Sequence, residues 1–283
     1  KLEPGSWLLA RDGRKVDGGR YWQLPPPRED APADLNEAEV CEQIREVFDE
    51  SVRLRMIADV PLGAFLSGGI DSSLVVASMA RQSRRPVKTF SIGFEEQAYS
   101  ELPYARILAE QYATEHHEMV VRPDAVDLVP KLIHYLDEPF ADCSAIPTYL
   151  VSQFAAEHVK VVLSGDGGDE LFGGYTSYFA VDARRGFDRI PRVARRALSL
   201  AAGALPYAAR GKNYLRMLSR PNALERYFEE VTFSSYFLRE RILQPQWQLP
   251  SDARFLRETF GDAILDDERD CLSQAMHFEA TAK

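Results

Sequence analysis

The sequence lacks the features that would put it in a membrane, in an oxidising compartment or on nucleic acid. Its longest charge-free stretch rich in apolar residues is 197–209, and Gly203 and Pro206 interrupt it. A membrane-spanning helix needs roughly 20 apolar residues, so none is expected. The three cysteines, Cys41, Cys143 and Cys271, are far apart and odd in number. That is neither a disulfide framework nor a zinc set, and it suits a reducing, cytoplasmic setting. Positive charge is short as well: 34 Lys and Arg face 43 Asp and Glu, a net −9. A general nucleic-acid binder is normally basic, so neither a nucleic acid nor a membrane is expected as a partner. No internal repeat or low-complexity tract is evident. What remains is an ordinary globular mix, 45% hydrophobic and 27% charged over 283 residues. That is enough for a sizeable core, at a length of about two domains.

Residues 1–34 are expected to be a hairpin and linker. Trp7-Leu8-Leu9-Ala10 is strand-like, Asp12-Gly13 and then Asp17-Gly18-Gly19 supply turn residues, and Pro25-Pro26-Pro27 stiffens an extended spacer. From 35 the period becomes helical, with Val40, Ile44, Val47, Val52 and Met56 on one face and Asn36 as the cap. Strand and helix then alternate. Strands are predicted at 60–66, 87–94, 116–121 and 159–163, and helices at 72–81, 101–112, 124–136 and 147–157. Such alternation implies an α/β fold, a doubly wound, mostly parallel sheet, followed here by a helical C-terminal part over 222–283. Ligands of such sheets sit at the carboxyl ends of the strands. The segment 184–220 holds ten Lys and Arg and one acid. Two readings stay open for it: a solvated basic helix pair, or a docking surface for an anionic partner. His116-His117 opens a strand, where neighbouring side chains face opposite sides, so the pair does not chelate one metal.

Two loops carry most of the chemistry. Ser67-Gly68-Gly69-Ile70-Asp71-Ser72-Ser73 lies between an apolar strand and a helix. Its glycines let the backbone curve around a ligand, the helix start offers N–H groups and a positive dipole end, and three serines add hydroxyls. This is a cradle for an anion, most naturally a phosphate, and no Walker Gly-Lys-Ser/Thr accompanies it. A plain Gly-Gly turn with a capped helix is the competing account. Asp71 argues against the plain turn. At an effective dielectric near 20 and about 6 Å, a carboxylate repels each phosphate charge by roughly 3 kcal/mol. A helix terminus returns only ~0.3–2 kcal/mol, so a cation must mediate, and Mg²⁺ is the usual one.

The second loop, 164–175, reads Ser-Gly-Asp-Gly-Gly-Asp-Glu-Leu-Phe-Gly-Gly-Tyr, with three carboxylates and five glycines. It follows a strand and would sit on the same rim as the first loop, with Asp71 and Asp169 sharing Mg²⁺. A solvated acidic loop and a calcium loop are the rivals, the latter without EF-hand spacing.

These two motifs carry a resemblance. The Ser-Gly-Gly-Ile-Asp-Ser-Ser loop is similar to the PP-loop of the N-type ATP pyrophosphatases, whose fold is adenine nucleotide alpha hydrolase-like. With Leu-Ser-Gly-Asp-Gly-Gly-Asp-Glu-Leu-Phe-Gly-Gly-Tyr, the chain resembles the synthetase domain of glutamine-hydrolysing asparagine synthetases over about 35–283. The resemblance implies an ATP-dependent amide-forming ligase that adenylates the aspartate side-chain carboxylate, releases pyrophosphate and lets ammonia from glutamine displace AMP. It assigns Leu66, Ser67, Gly68, Gly69, Asp71, Ser72, Ser73, Ile92, Ser164 and Gly165 to ATP and its pyrophosphate, and Asp71 and Asp169 to Mg²⁺. Asp166 and Glu170 are the candidate catalytic carboxylates. Asp166 stands where many relatives carry the longer glutamate, and a loop-bracing role is the other reading of Glu170.

A third loop, 136–148, is implied to hold the amino-acid substrate through Glu138, Asp142 and Ser144, although Ser144 or Thr148 also suits a helix cap. The resemblance further implies that residues 1–34 are the remnant of an interdomain hairpin, that a glutaminase domain supplying ammonia lies before Lys1, and that a catalytic lysine lies after Lys283. In keeping with this, the chain opens on Lys1 and ends in what reads as an interrupted helix, so we expect a piece of a longer protein, with a homodimer as its assembly. The alternatives are a related amidotransferase or β-lactam-forming synthetase acting on another carboxylate, and a non-catalytic ATP-binding module.

Overall fold

The computed structural model describes residues 2–25, 36–96, 100–121, 128–136, 142, 144–206, 209–231, 242–244, 246 and 271–282. The chain divides into two compact units, residues 32–166 and residues 1–31 with 167–283.

The unit 32–166 is a four-stranded parallel sheet with helices on both faces. Helix α1 (Glu37–Arg55) starts at Asn36, whose side chain accepts a hydrogen bond from the Ala38 N–H at 3.0 Å, as the sequence predicts. Strand β3 (Leu62–Phe65), helix α2 (Ile70–Gln82), strand β4 (Lys88–Phe94), helix α3 (Leu102–Gln111) and strand β5 (Glu115–Val121) follow. Then come α4 (Val129–Leu136), α5 (Ala145–Ala156) and β6 (Val161–Leu163). The predicted helix at 124–136 lies partly outside the described residues.

Alternation along the strands sorts the core into two layers. Ala64, Leu66 and Leu163 join Val52, Val75, Val76, Met79, Ala105 and Ala109 from α1, α2 and α3. Phe65, Phe90 and Val162 face the other way, onto Val151, Phe154, Ala155 and Val159 around α5. The histidine pair obeys the same alternation. His116 Nδ1 lies 2.8 Å from the Thr89 hydroxyl, while the His117 ring stacks on Phe90 with centroids 5.3 Å apart.

The strand order is β5-β4-β3-β6, every pair parallel. Successive strands step one way from β3 to β5, and the chain then returns to place β6 on the other side of β3. In open α/β sheets such a reversal, here beyond the carboxyl ends of β3 and β6, is where ligands bind. The two motif loops leave from those two ends.

The second unit includes an antiparallel hairpin, β1 (Ser6–Arg11) and β2 (Arg14–Arg20), turned at Asp12-Gly13. Asp17-Gly18-Gly19, expected as a turn, lies instead within β2. A Cβ on Gly19 would stand 3.1 Å from the Trp7 indole nitrogen, so the glycines here accommodate the facing tryptophan. From Gly167 on, the described residues are helical: α6 (Gly168–Phe172), α7 (Thr176–Ala183), a 3-10 turn (Arg185–Arg189), α8 (Arg192–Ala204), α9 (Lys212–Ser219), α10 (Ala223–Val231) and α11 (Cys271–Ala282). Their core is aromatic, built from Tyr178, Val181, Tyr227, Phe228 and Ala275, with Tyr175 and Phe278 against it.

In the basic segment Arg189, Arg192, Arg196 and Arg210 are exposed. Others of its cations are turned inward and cap backbone carbonyls. Lys212 is buried and donates to the Leu205 carbonyl at the end of α8, at 2.5 Å. Arg195 donates to the Asp188 carbonyl at 2.8 Å and to that of Pro221. From α10, Arg226, 2% exposed, pairs with the Asp188 carboxylate.

Candidate functional site

The first motif loop is a knot of hydroxyl hydrogen bonds at the start of α2. The Ser67 and Ser72 hydroxyls lie 2.9 Å apart, the Gly69 N–H donates to Ser67 Oγ at 3.2 Å, and the Ser73 hydroxyl donates to the Gly69 carbonyl at 2.6 Å. Gly69 is the N-cap and brings no side chain to cover the helix end. The positive end of α2 is thus left to backbone N–H groups and serines, the arrangement an anion needs. Gly68 is required on two counts. Its φ is +87°, and a Cβ there would stand 2.6 Å from Tyr104 Cβ and 2.7 Å from the Ala105 nitrogen of α3. Asp71 is half-buried in the first turn of α2.

The second loop begins in the same unit and touches the first. A Cβ on Gly165 would lie 2.7 Å from the Ser72 nitrogen and 2.9 Å from Asp71 Cβ. Only a residue without a side chain lets the two turns meet, so Ser67–Ser73 and Ser164-Gly165 form one surface at the strand-order reversal. Asp166 is exposed beside them and accepts a hydrogen bond from the Ser164 hydroxyl at 2.9 Å. Leu66 has its side chain in the core, so any contact it makes with a ligand is through the backbone. Ile92 is half-buried on β4, on the Phe90 side of the sheet.

Asp169 and Glu170 belong to the other unit, on α6, between Gly167 (φ +89°) and Gly173 (φ +70°). Glu170 is buried and accepts from the Tyr175 hydroxyl at 2.7 Å, the bracing arrangement. Asp169 folds over Gly174, where a Cβ would collide with its carboxylate. Sequence reasoning missed the parts of Gly174 and Tyr175; both are in the motif, but only folding brings them onto the carboxylates.

In the third loop Asp142 and Ser144 are exposed, and Asp142 Oδ1 accepts from the Ser144 N–H at 2.8 Å. Ser144 is the N-cap of α5 but makes no side-chain cap bond. Glu138 lies outside the described residues. Among the described residues, no three His, Cys, Asp or Glu side chains gather as a metal set, and no helix is long and apolar enough to cross a membrane.

Strand order and loop chemistry define a class: a parallel α/β unit with a glycine–serine turn at its switch point, followed along the chain by an acidic glycine loop and helices. The profile of the asparagine synthase family matches residues 43–282, and the chain belongs to that family. It is 35% identical over 245 residues to asparagine synthetase (glutamine-hydrolyzing) 1 of Bacillus subtilis, covering 86% of this chain and 38% of that protein. A putative asparagine synthetase (glutamine-hydrolyzing) of Mycobacterium bovis is 42% identical over 210 residues, 73% of this chain and 32% of that one. The chain therefore spans about a third of the length of the curated relatives it matches. Among solved structures, the NH3-dependent NAD synthetase of Campylobacter jejuni overlaps 50% of this chain and 61% of its own at 17% identity and a TM-score of 0.32, too distant to bear on the site.

Proposed function

We propose that the protein containing this chain is an ATP-dependent amide-forming ligase, with aspartate as acceptor and glutamine-derived ammonia as nitrogen donor. The observation that carries this reading is the contact of Gly165 with Ser72 and Asp71, which brings the start of the second motif, Ser164-Gly165, onto the first at the start of α2. Family membership supports the reaction class.

In this reading Ser67, Gly68, Gly69, Ser72 and Ser73 hold the pyrophosphate portion of ATP, and Ser164, Gly165, Leu66 and Ile92 line the rest of the nucleotide. Asp71 and Asp169 are the carboxylates assigned to Mg²⁺. Hard oxygen donors, few in number, fit an ion that takes one or two carboxylates and completes its shell with phosphate and water. When bound, Mg²⁺ offsets the repulsion between those carboxylates and the phosphates. A carboxylate oxygen of aspartate forms a bond to the α-phosphorus and pyrophosphate leaves. Ammonia then bonds to the acyl carbon, the bond to AMP breaks, and a proton is lost from nitrogen. Transfer at phosphorus depends mainly on positioning and charge neutralisation, which this cradle supplies. Asp166 takes the proton, oriented by Ser164, while Glu170 braces α6. Glu138, Asp142 and Ser144 receive the amino-acid substrate.

The test is pyrophosphate release by the full-length protein supplied with ATP, Mg²⁺ and an ammonium salt. Release that requires aspartate is expected. Release indifferent to aspartate, or satisfied only by another carboxylic acid, contradicts the assignment.

A further inference from the structure

We infer that Ser91, buried in β4, is a positioning residue for the nucleotide cradle. The inference rests on the nucleotide reading above. Ser91 is 4% exposed, and its hydroxyl donates to the carbonyl of Leu66, the last residue before the Ser67–Ser73 turn. Leu66 continues the sheet through its own N–H, which donates to the Phe90 carbonyl at 3.0 Å. A regular parallel ladder would next carry the Leu66 carbonyl to a backbone N–H of β4. Ser91 takes that carbonyl instead, at the point where the chain leaves the sheet. The peptide between Leu66 and Ser67 is thereby fixed in orientation, and its nitrogen side faces the cradle: the Ser67 N–H lies 3.3 Å from Ser72 Oγ. One buried hydroxyl thus sets the angle at which the serine turn leaves the sheet.

Strand β4 contains its own control. Thr89 lies two residues earlier on the same face and is fully buried, but its hydroxyl bonds to Thr114 at 2.9 Å and His116 at 2.8 Å, away from the turn. Both hydroxyls are buried and satisfied, so removing either should affect stability alike, while only Ser91 should affect the nucleotide.

The experiment compares Ser91→Ala, Ser91→Thr and Thr89→Val in the full-length protein by calorimetric titration with ATP–Mg²⁺ and by the KM for ATP. Ser91→Ala should weaken ATP binding and raise KM about fivefold, the share of one lost hydrogen bond, with kcat nearly unchanged. Ser91→Thr keeps the hydroxyl and should restore most of the affinity, and Thr89→Val should leave it at the wild-type value. Equal affinity in wild type and Ser91→Ala, or equal losses in Ser91→Ala and Thr89→Val, overturns the positioning role while sparing the nucleotide site. A wild-type protein that binds no ATP overturns both.

Discussion

The two units place their polar side chains in opposite ways. In the α/β unit the two meeting turns carry serine hydroxyls with Asp71 and Asp166 among them, and charged side chains clamp helices elsewhere. Asp49 of α1 accepts from Ser78 at 2.5 Å and from Arg81 at 2.6 and 2.7 Å, which ties α1 to α2. In the helical unit, charge goes inward: Arg226, Lys212 and Glu279 are all buried, and the Tyr227 hydroxyl donates to Glu279 at 2.6 Å. Burial, reinforced by that carboxylate, pushes the Tyr227 phenol far above its ordinary value, so it stays a donor at any working pH. One unit gathers serine hydroxyls, with Asp71 and Asp166 beside them, where two turns meet. The other uses fixed ionic and phenolic pairs to hold short helices together.

The largest expected effect strikes the meeting turns without touching the core. Asp71→Asn should lower aspartate-dependent ATP–pyrophosphate exchange by more than about a hundredfold, as expected when a positioned group essential to charge neutralisation is lost, in a protein that still folds. An unaltered exchange rate would remove Asp71 from the site. Gly165→Ala comes next. Its methyl group would meet the Ser72 nitrogen at 2.7 Å, so the two loops must separate. ATP affinity should fall about tenfold or more, in line with an overpacking penalty of ~1–3 kcal/mol. Wild-type affinity would show that the loops need not touch.

In the helical unit, Arg226→Met strips a buried cation from its half-exposed partner Asp188. Denaturant titration should show a loss of about 2 kcal/mol, below the figure for a fully buried pair because Asp188 still reaches water. No loss would mean that the inward charge is incidental.

The pH dependence sharpens the contrast from the other side. Burial holds His116 below its usual imidazole value, and neighbouring Glu118 only partly offsets this. The folded unit therefore prefers neutral His116. Its contribution is complete above the unfolded value of 6.5 and declines as pH falls below it. Hydrogen bonds from Ser78 and Arg106 hold the Asp49 and Glu118 carboxyls low, so their contributions are lost further down, as pH falls through and below about 4. His116→Gln should flatten the upper part of a stability–pH curve and leave the lower part. A curve unchanged from pH 7 to 5 would contradict this. The smallest effect is stabilising. Ala113 ends α3 with φ +49°, and Ala113→Gly should raise stability by about 0.5–1 kcal/mol, read from the denaturation midpoint.

Legibility follows the same division. Strand–helix alternation, the Asn36 cap and the opposed histidines were readable because each depends on local period or a short side-chain bond. The close approach of the turns was readable from Gly68 and Gly165, where a side chain would collide with neighbouring backbone. The inward cations were not readable. Lys212 and Arg226 look like solvent-facing charges in sequence, and only the folded chain brings the Leu205 carbonyl and the Asp188 carboxylate to them. Ser91 was hidden for a related reason: a serine in an apolar strand shows nothing of the carbonyl it meets.

Amide hydrogen exchange of the full-length protein, with and without ATP–Mg²⁺, tests most directly whether the paired loops hold the nucleotide. Slowed exchange concentrated in peptides covering 66–73 and 164–166 is predicted. Protection confined instead to the basic stretch 184–220, with the two loops unaffected, would contradict the account.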